Sequence, residues 1–241
     1  MIKVDDNYII NSIQRYKNEL SLNSDRAHSF DYCFNYFKRN CNTSRYSFAD
    51  NMELSSLHLG FYLASWGMYR GSSYLLQNSL SIYEKVIEYF DVLKKNHLEL
   101  NHLSPWDIDV SSYNEDSIKF LLNLHKNIKE CLKINTKEPS DILITKIMLG
   151  VFGNVPAYDA YFKKTFKLIS KDLNYDCAFT SFNSKSLKVI KKFYDKHKQS
   201  IDTIAQTYTT VDFSSKKKTD INYTKAKTID MFGFMCSFQN K

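Results

Sequence analysis

A stretch of thirty residues that is almost free of charge, Leu54 to Tyr83, constrains the fold of this chain more than any other feature. Its one charged residue is Arg70. Side chains on one helical face recur at steps of three and four residues, at Leu54, Leu57, Phe61, Ser65 and Met68. Because a helix without a polar face is buried on all sides, the stretch predicts a buried central helix over 54–70.

A second face of this predicted helix carries only small residues, at Ser56, Gly60, Ala64, Gly67 and Gly71. Glycine inside a helix costs about 1 kcal/mol relative to alanine, so several glycines in one helix need a reason. Close contact with a second, crossing helix is the reason that the spacing favours. Space for a ligand is the alternative.

Arg70 comes at the end of this predicted helix, and two interpretations of it stay open. In the structural one, the helix ends at Gly71 and the guanidinium binds the last helical carbonyls. In the functional one, Arg70 faces an anionic ligand beside Ser72 and Ser73.

A second stretch with no charge, residues 147–158, predicts two helices joined by a turn. The first helix covers 140–152, because Gly153 suits the left-handed residue that follows a helix. Pro156 opens the next helix at the position where proline is favoured. Asp159 then lies in the first helical turn, where the helix dipole favours an acid.

Three interpretations of this unit compete. The favoured one is a buried helical hairpin whose Gly150 meets the small-residue face of the central helix. The second is a helix-turn-helix that presents lysines to DNA. The third is an anion site at the Gly153–Pro156 turn, with Asn154 beside it.

Glycine and proline are scarce, with six and three residues among 241, which favours long helices and few tight turns. We therefore expect a single all-α domain over residues 1–241, with about eight helices around the central one. Further helix starts are predicted at Asp5 or Asp6, at Ser24, and at the capping boxes Ser81–Glu84 and Ser112–Glu115.

The most regular helical pattern covers Ser184 to Tyr208. Its apolar seam consists of Leu187, Ile190, Tyr194, His197, Ile201, Ile204 and Tyr208. Alternating steps of three and four residues are typical of a bundle or coiled coil. The pattern predicts one continuous helix, and self-association through 187–208 makes a structural oligomer one candidate role. Residues 209–221 are expected to form a mobile loop.

The last third of the chain, 161–241, is basic: it holds sixteen lysines and no arginine against seven acidic residues. One helix face there carries Lys185, Lys188, Lys192 and Lys196. Such a face favours nucleic-acid binding, as in a toxin or phage-defence protein, although the missing arginine counts against bidentate phosphate or base recognition. A solvated helix face is the simpler interpretation.

Residues 97–112 form the longest early loop, and metal-ligand residue types are frequent in it: His97, Glu99, His102, Asp107 and Asp109. Their spacing fits no known metal site, so a solvated polar loop without metal is expected. The five cysteines are scattered without a Cys-x-x-Cys motif, which is typical of a reducing cytosol. The acidic start and the lack of a long apolar run predict a cytoplasmic chain with no membrane segment and no cofactor.

Two stretches, Ala64–Ser73 and Leu149–Asp159, resemble those of a bacterial protein family that has no assigned activity. The resemblance covers most of the chain. It implies no catalytic residues, and only that both stretches belong to one shared centre.

We expect a binding or regulatory module with a small polar pocket for an anion near the Gly153–Pro156 turn. The candidate ligand-binding residues are Arg70, Ser72, Ser73, Asn154 and Asp159. Because Arg70 and Asp159 are each the lone charge bordering an apolar stretch, we hypothesise that they pair or face each other. No acid–base pair, metal cluster or nucleophile motif is strong enough to assign an enzyme activity.

Overall fold

The computed structural model describes residues 4–22 and 26–238, without the side chains of residues 21 and 22. The described part is mostly helical, as expected, but it has ten α-helices where about eight were predicted, and it has one small antiparallel sheet. The ten α-helices are α1 (Asp6–Lys17), α2 (His28–Asn40), α3 (Met52–Ser65), α4 (Glu84–Leu100), α5 (Glu115–Cys131), α6 (Asp141–Phe152), α7 (Ala160–Asp172), α8 (Ser184–Lys196), α9 (Lys198–Thr207) and α10 (Lys225–Phe238). The strands are β1 (Thr209–Val211) and β2 (Lys218–Asn222).

Side-chain caps fix most helix starts. Asp5 caps α1, as predicted, by accepting a backbone N–H of the first turn, and Ser140 caps α6 in the same way. Asn114, not Ser112, caps α5, and α4 begins without a side-chain cap after a 3₁₀ turn, so both predicted capping boxes are wrong. The predicted cap at Ser24 lies outside the described residues.

The helices at the centre of the fold are α6 and α10. Every residue of α10 from Ala226 to Ser237 is buried, as is every residue of α6 from Leu143 to Phe152. Helix α10 packs against α7, α1 and α9, and α6 packs against α2 and α3. The core therefore forms around two helices that each have almost no exposed face.

Helix α3 corrects the prediction of a central helix over 54–70. It ends at Ser65, because Gly67 adopts a left-handed conformation (φ +80°) that turns the chain. Its small-residue face is buried at Ser56 and Gly60, whereas Leu54, Leu57 and Phe61 are exposed. The apolar seam that appeared to mark the core faces outward, since α6 and α10 occupy the centre.

The predicted continuous helix over 184–208 is also wrong. The chain breaks at His197, whose backbone (φ −117°, ψ 27°) leaves the helical region and separates α8 from α9. The seam residues Leu187, Ile190, Tyr194, Ile201 and Ile204 are all buried within the chain. Self-association through 187–208 would need side chains that already pack in the core.

Two predicted loops have more structure than expected. Residues 209–221 hold strand β1 and most of β2, and Thr209 pairs with Asn222. The loop over 97–112 is anchored by the buried side chains of Trp106, Ile108 and Val110. Asp109, in the same loop, accepts hydrogen bonds from the backbone N–H groups that begin α10, at 2.8 and 2.9 Å, so it is a partly buried cap and not a solvated acid.

Gly150 of α6 faces α3, as predicted, but it meets the ring of Tyr62 and not the small-residue face. A Cβ at Gly150 would overlap Cε1 of Tyr62, closer than side chains approach each other. At Gly60 the nearest atom would be the terminal Cδ2 of Leu80, at 2.9 Å. The two glycines therefore differ in how far their neighbours can move.

We expect Gly150→Ala to destabilise the protein by about 1–3 kcal/mol, because the buried Tyr62 ring cannot move without disturbing the core. Gly60→Ala is expected to be neutral or stabilising by up to about 1 kcal/mol, because the half-exposed Leu80 can give way and alanine favours the helix. Urea unfolding of both variants tests this contrast. Effects of equal sign and size would contradict the packing described.

Candidate functional site

A cluster of charged side chains surrounds Trp66, the residue that follows α3. The Trp66 ring lies parallel to the ring of Tyr16, with centroids 6.4 Å apart and an interplanar angle of 7°. Three cations approach it: the distances to the ring are 4.8 Å for Arg26, 5.4 Å for Lys146 and 5.6 Å for Lys227. With the carboxylates Asp159 and Asp230, these residues form what we call the Trp66 cluster.

The Lys227 half of the Trp66 cluster is hydrogen-bonded within the chain. Lys227 Nζ donates to Asp230 Oδ2 at 3.0 Å and to the Tyr16 hydroxyl at 3.2 Å. The other carboxylate oxygen, Asp230 Oδ1, accepts from the backbone N–H of Ala157 at 3.0 Å. Burial works to lower the pKa of Lys227, but Tyr16 and Asp230 outweigh it and hold that pKa above its usual value. This half is a satisfied, buried ion pair.

The Lys146 half is different. Lys146 is 4 % exposed, and among the described residues its ammonium group donates no hydrogen bond. The nearest carboxylate oxygen, Asp159 Oδ2, lies 4.0 Å away, and the other oxygen of Asp159 accepts from Phe162 N to cap α7. Burial lowers the pKa of Lys146 against the attraction of Asp159 and Asp230. Burial likewise raises the pKa of Asp159, so burial disfavours the charged form of both groups.

A second donor beside Lys146 also lacks an acceptor. The indole Nε1 of Trp66 is buried and has no hydrogen-bond partner within the described chain. Arg26, on the other side of the ring, is satisfied in part, because its Nε donates to the carbonyl of Ser65 at 2.9 Å. With all groups ionised, the Trp66 cluster holds three cations against two carboxylates and carries one positive charge in excess.

The two low-charge stretches of the sequence meet at this cluster. Tyr62, which lies one turn before Trp66, packs on Gly150 of α6. Trp66 lies beside Lys146, which comes one turn before Gly150 in the same helix. Sequence reasoning noticed both stretches but missed Lys146 and Lys227, since lysine on a helix is normally solvated. The available signal for Lys146 was its setting in the apolar run ILITKIMLGVF. Lys227 has polar neighbours in the sequence, Thr228 among them, and gave no such signal.

The predicted ligand-binding residues have different surroundings. Arg70 and Ser72 are exposed in the turn after α3, and the Ser73 hydroxyl is buried without a partner among the described residues. Asn154 is fully buried, and its side chain donates to the carbonyl of Pro105 at 3.1 Å, so it anchors a loop. Asp159 alone belongs to the Trp66 cluster.

The hypothesised pair between Arg70 and Asp159 is not formed. In the described chain no ion pair joins them, and the partner of Asp159 is Lys146. Arg70 instead folds back over Gly67, where its Nε would lie 3.1 Å from a Cβ placed on that glycine.

Arg70→Leu is therefore expected to change the free energy of unfolding by less than about 0.5 kcal/mol, the usual range for an exposed side chain without a strong partner. Thermal melting at low protein concentration measures this effect. A fall of 6 °C or more, the size that a broken buried ion pair gives in a protein of this length, would contradict the exposed placement of Arg70.

The lysines proposed to bind nucleic acid are partly engaged within the chain. Lys188 pairs with Glu115 at 2.7 Å, and Lys192 lies over the ring of Tyr175 at 4.6 Å. Lys185 and Lys196 are exposed. The face is a mixture of solvated and paired lysines.

A separate cavity of about 680 Å³ lies between the start of α1, the end of α7 and the break between α8 and α9. The His197–Asp6 pair lines it, with 2.5 Å between Nδ1 and Oδ1. Among the described residues no hydroxyl or thiol hydrogen-bonds to His197, and the Ser200 hydroxyl donates to Asp6 instead. The His197–Asp6 pair fastens the helix break to α1.

No group of three His, Cys, Asp or Glu side chains in residues 4–22 and 26–238 is placed to hold a metal ion. Over the same residues, every helix is too short or too polar to cross a membrane. No protein family, curated protein or solved structure matches this chain.

Proposed function

We propose that this protein is a binding module for a small oxyanion, a carboxylate or phosphate group, which binds at Lys146 and at Nε1 of Trp66. The observation that carries the proposal is the Lys146 ammonium group. The Lys146 side chain is buried, and none of the described residues accepts a hydrogen bond from its ammonium group.

The energetics favour a ligand at this position. A buried polar group without a partner costs about 1–3 kcal/mol, and more when it is charged. Trp66 Nε1 is such a donor, and the ammonium group of Lys146, which also lacks an acceptor among the described residues, lies 5.4 Å from the centre of the same ring. A bound water would satisfy their hydrogen bonds but would leave the excess positive charge. An oxyanion satisfies both donors and neutralises that charge.

The cover over the Trp66 cluster is thin, which gives a ligand a route of entry. Trp66, Arg26 and Asp159 are only partly buried. The segment that follows Trp66 turns at Gly67 and Gly71, which have φ values of +80° and +53°. Glycine tolerates such conformations without strain, so this turn is suited to moving aside. We place the module in the cytoplasm, because none of the five cysteines, all of which lie in the described part of the chain, forms a disulfide.

The test uses the two tryptophans as separate reporters. In protein labelled with ¹⁵N at the indole nitrogens, Trp66 and Trp106 give one N–H signal each, and Trp66→Phe assigns them. Inorganic phosphate, titrated to about 10 mM, which is tenfold above a Kd of 1 mM, should shift the Trp66 signal until it saturates. Trp106 is an internal control, because its Nε1 already donates to the carbonyl of Val151 at 3.0 Å. Acetate and sulfate at the same ionic strength distinguish oxyanion classes.

Lys146→Met is expected to abolish the shift of the Trp66 signal, and Lys185→Met, which removes an exposed lysine, should leave it unchanged. If none of the three anions moves the Trp66 signal, or if both signals move equally in every variant, the proposal is overturned.

A further inference from the structure

Helix α3 presents an apolar face to solvent. Leu54, Leu57 and Phe61 lie on one side of it and are 47 %, 46 % and 59 % exposed. Leu80 extends this surface, because its side chain lies over Gly60 of the same helix and is itself exposed. We call these four residues the α3 patch. A contiguous apolar patch of this kind on a helix marks an interaction surface more often than a solvated one.

The spacing of the α3 patch is that of a helix–helix seam. Positions 54, 57 and 61 follow steps of three and four residues, and the next positions on the same side are the small residues Ala64 and Ser65. Small residues let a second helix approach closely. The fourteen residues of α3 span about 21 Å, enough for two full turns of contact on each side of a central point.

We propose that the α3 patch is the interface of a homodimer, in which α3 packs antiparallel against α3 of a second copy. The charges at the two ends of α3 are the reason to expect a second copy of the chain as the partner. Asp50 and Glu53 are exposed at its start, and the exposed Arg70 follows its end. From Leu54 to Tyr83 there is no other charged residue.

An antiparallel arrangement brings these opposite charges together twice. The acidic start of α3 in one copy then lies near Arg70 of the other, and the two-fold axis repeats the same contact. A parallel arrangement would place like charges together at both ends. The patch is thus complementary to itself only in the antiparallel direction. The seam at 187–208 cannot serve instead, since its side chains are buried within the chain.

Sedimentation equilibrium of the full chain, at low salt and over a range of concentrations, tests the dimer. Phe61→Lys should raise the dimer Kd about thirtyfold or more, as expected for an anchor residue at the centre of an interface. Phe213→Lys is the matched control, because Phe213 is 61 % exposed on the hairpin between β1 and β2, and it should leave the Kd unchanged.

A charge exchange tests the antiparallel direction. Glu53→Arg alone and Arg70→Glu alone should each weaken the dimer, and the double variant should restore it towards the wild-type Kd. Wild type that stays monomeric at about 100 μM would overturn the dimer, since this excludes a Kd tighter than that concentration. A dimer that Phe61→Lys leaves intact would overturn the α3 patch as its interface. A double variant weaker than both single variants would overturn the antiparallel packing.

Discussion

Lys227→Met is expected to lower the melting temperature by about 6–20 °C. The substitution leaves the buried Asp230 without its counter-ion, and breaking a buried pair costs about 3–5 kcal/mol. In a chain of this size each kcal/mol shifts the midpoint by about 2–4 °C. Methionine keeps the length and much of the volume of lysine, so the loss reports on charge and not on a cavity.

A double-mutant cycle separates the pair from its surroundings. Asp230→Asn keeps an acceptor for the N–H of Ala157 but removes the charge, and it should also destabilise by leaving Lys227 unpaired. The double variant should lose less stability than the two single variants lose together, because neither charge then remains buried alone. Lys185→Met is the control for an exposed lysine. Additive effects in the cycle would contradict a direct ion pair.

The second large effect is a pH dependence that comes from Asp31. This residue on α2 is fully buried, and burial raises the pKa of its carboxyl group from the usual 3.8 to about 6, against the attraction of Lys17 and hydrogen bonds from Tyr223 and Val211 N. Between pH 4 and 6 the folded protein thus keeps a proton that the unfolded chain releases. Stability falls as the pH rises through this range, and the loss is complete above pH 6.

The size of this loss follows from the pKa difference. A shift of about two pH units corresponds to about 3 kcal/mol, or roughly 6–12 °C in the melting temperature. Asp31→Asn cannot ionise at this position. Between pH 4 and pH 6.5 its melting temperature should therefore fall by roughly 6–12 °C less than that of wild type. Parallel pH profiles of the two proteins would show that Asp31 does not hold the proton.

Local features of the fold could be predicted from the sequence because short-range interactions decide them. The caps at Asp5 and Ser140 each depend on a side chain and a backbone N–H three residues apart. Gly153 was predicted as the left-handed residue after α6, and it has φ +66°. The all-α class follows in the same way from helical periodicity and scarce glycine and proline.

Which apolar helix face is buried could not be predicted, because neighbouring helices compete for the centre. The seam at Leu54, Leu57 and Phe61 has the period of a core helix, yet α6 and α10 exclude it. Buried lysines were missed for a related reason. Packing between distant segments buries Lys146, and the periodicity of α6 alone does not indicate this. Only the apolar neighbours on both sides of Lys146 indicated it.

The central claim is that Lys146 is kept for a ligand and not for stability. Thermal melting of wild type and Lys146→Met, each with and without inorganic phosphate, tests it most directly. Because burial and poor pairing disfavour the Lys146 charge, we expect the two proteins to melt within about 2–4 °C of each other without phosphate. Phosphate should raise the midpoint of wild type alone, since only a protein with the site is stabilised by mass action. A fall in Lys146→Met as large as that of Lys227→Met, or the same phosphate shift in both proteins, would contradict the claim.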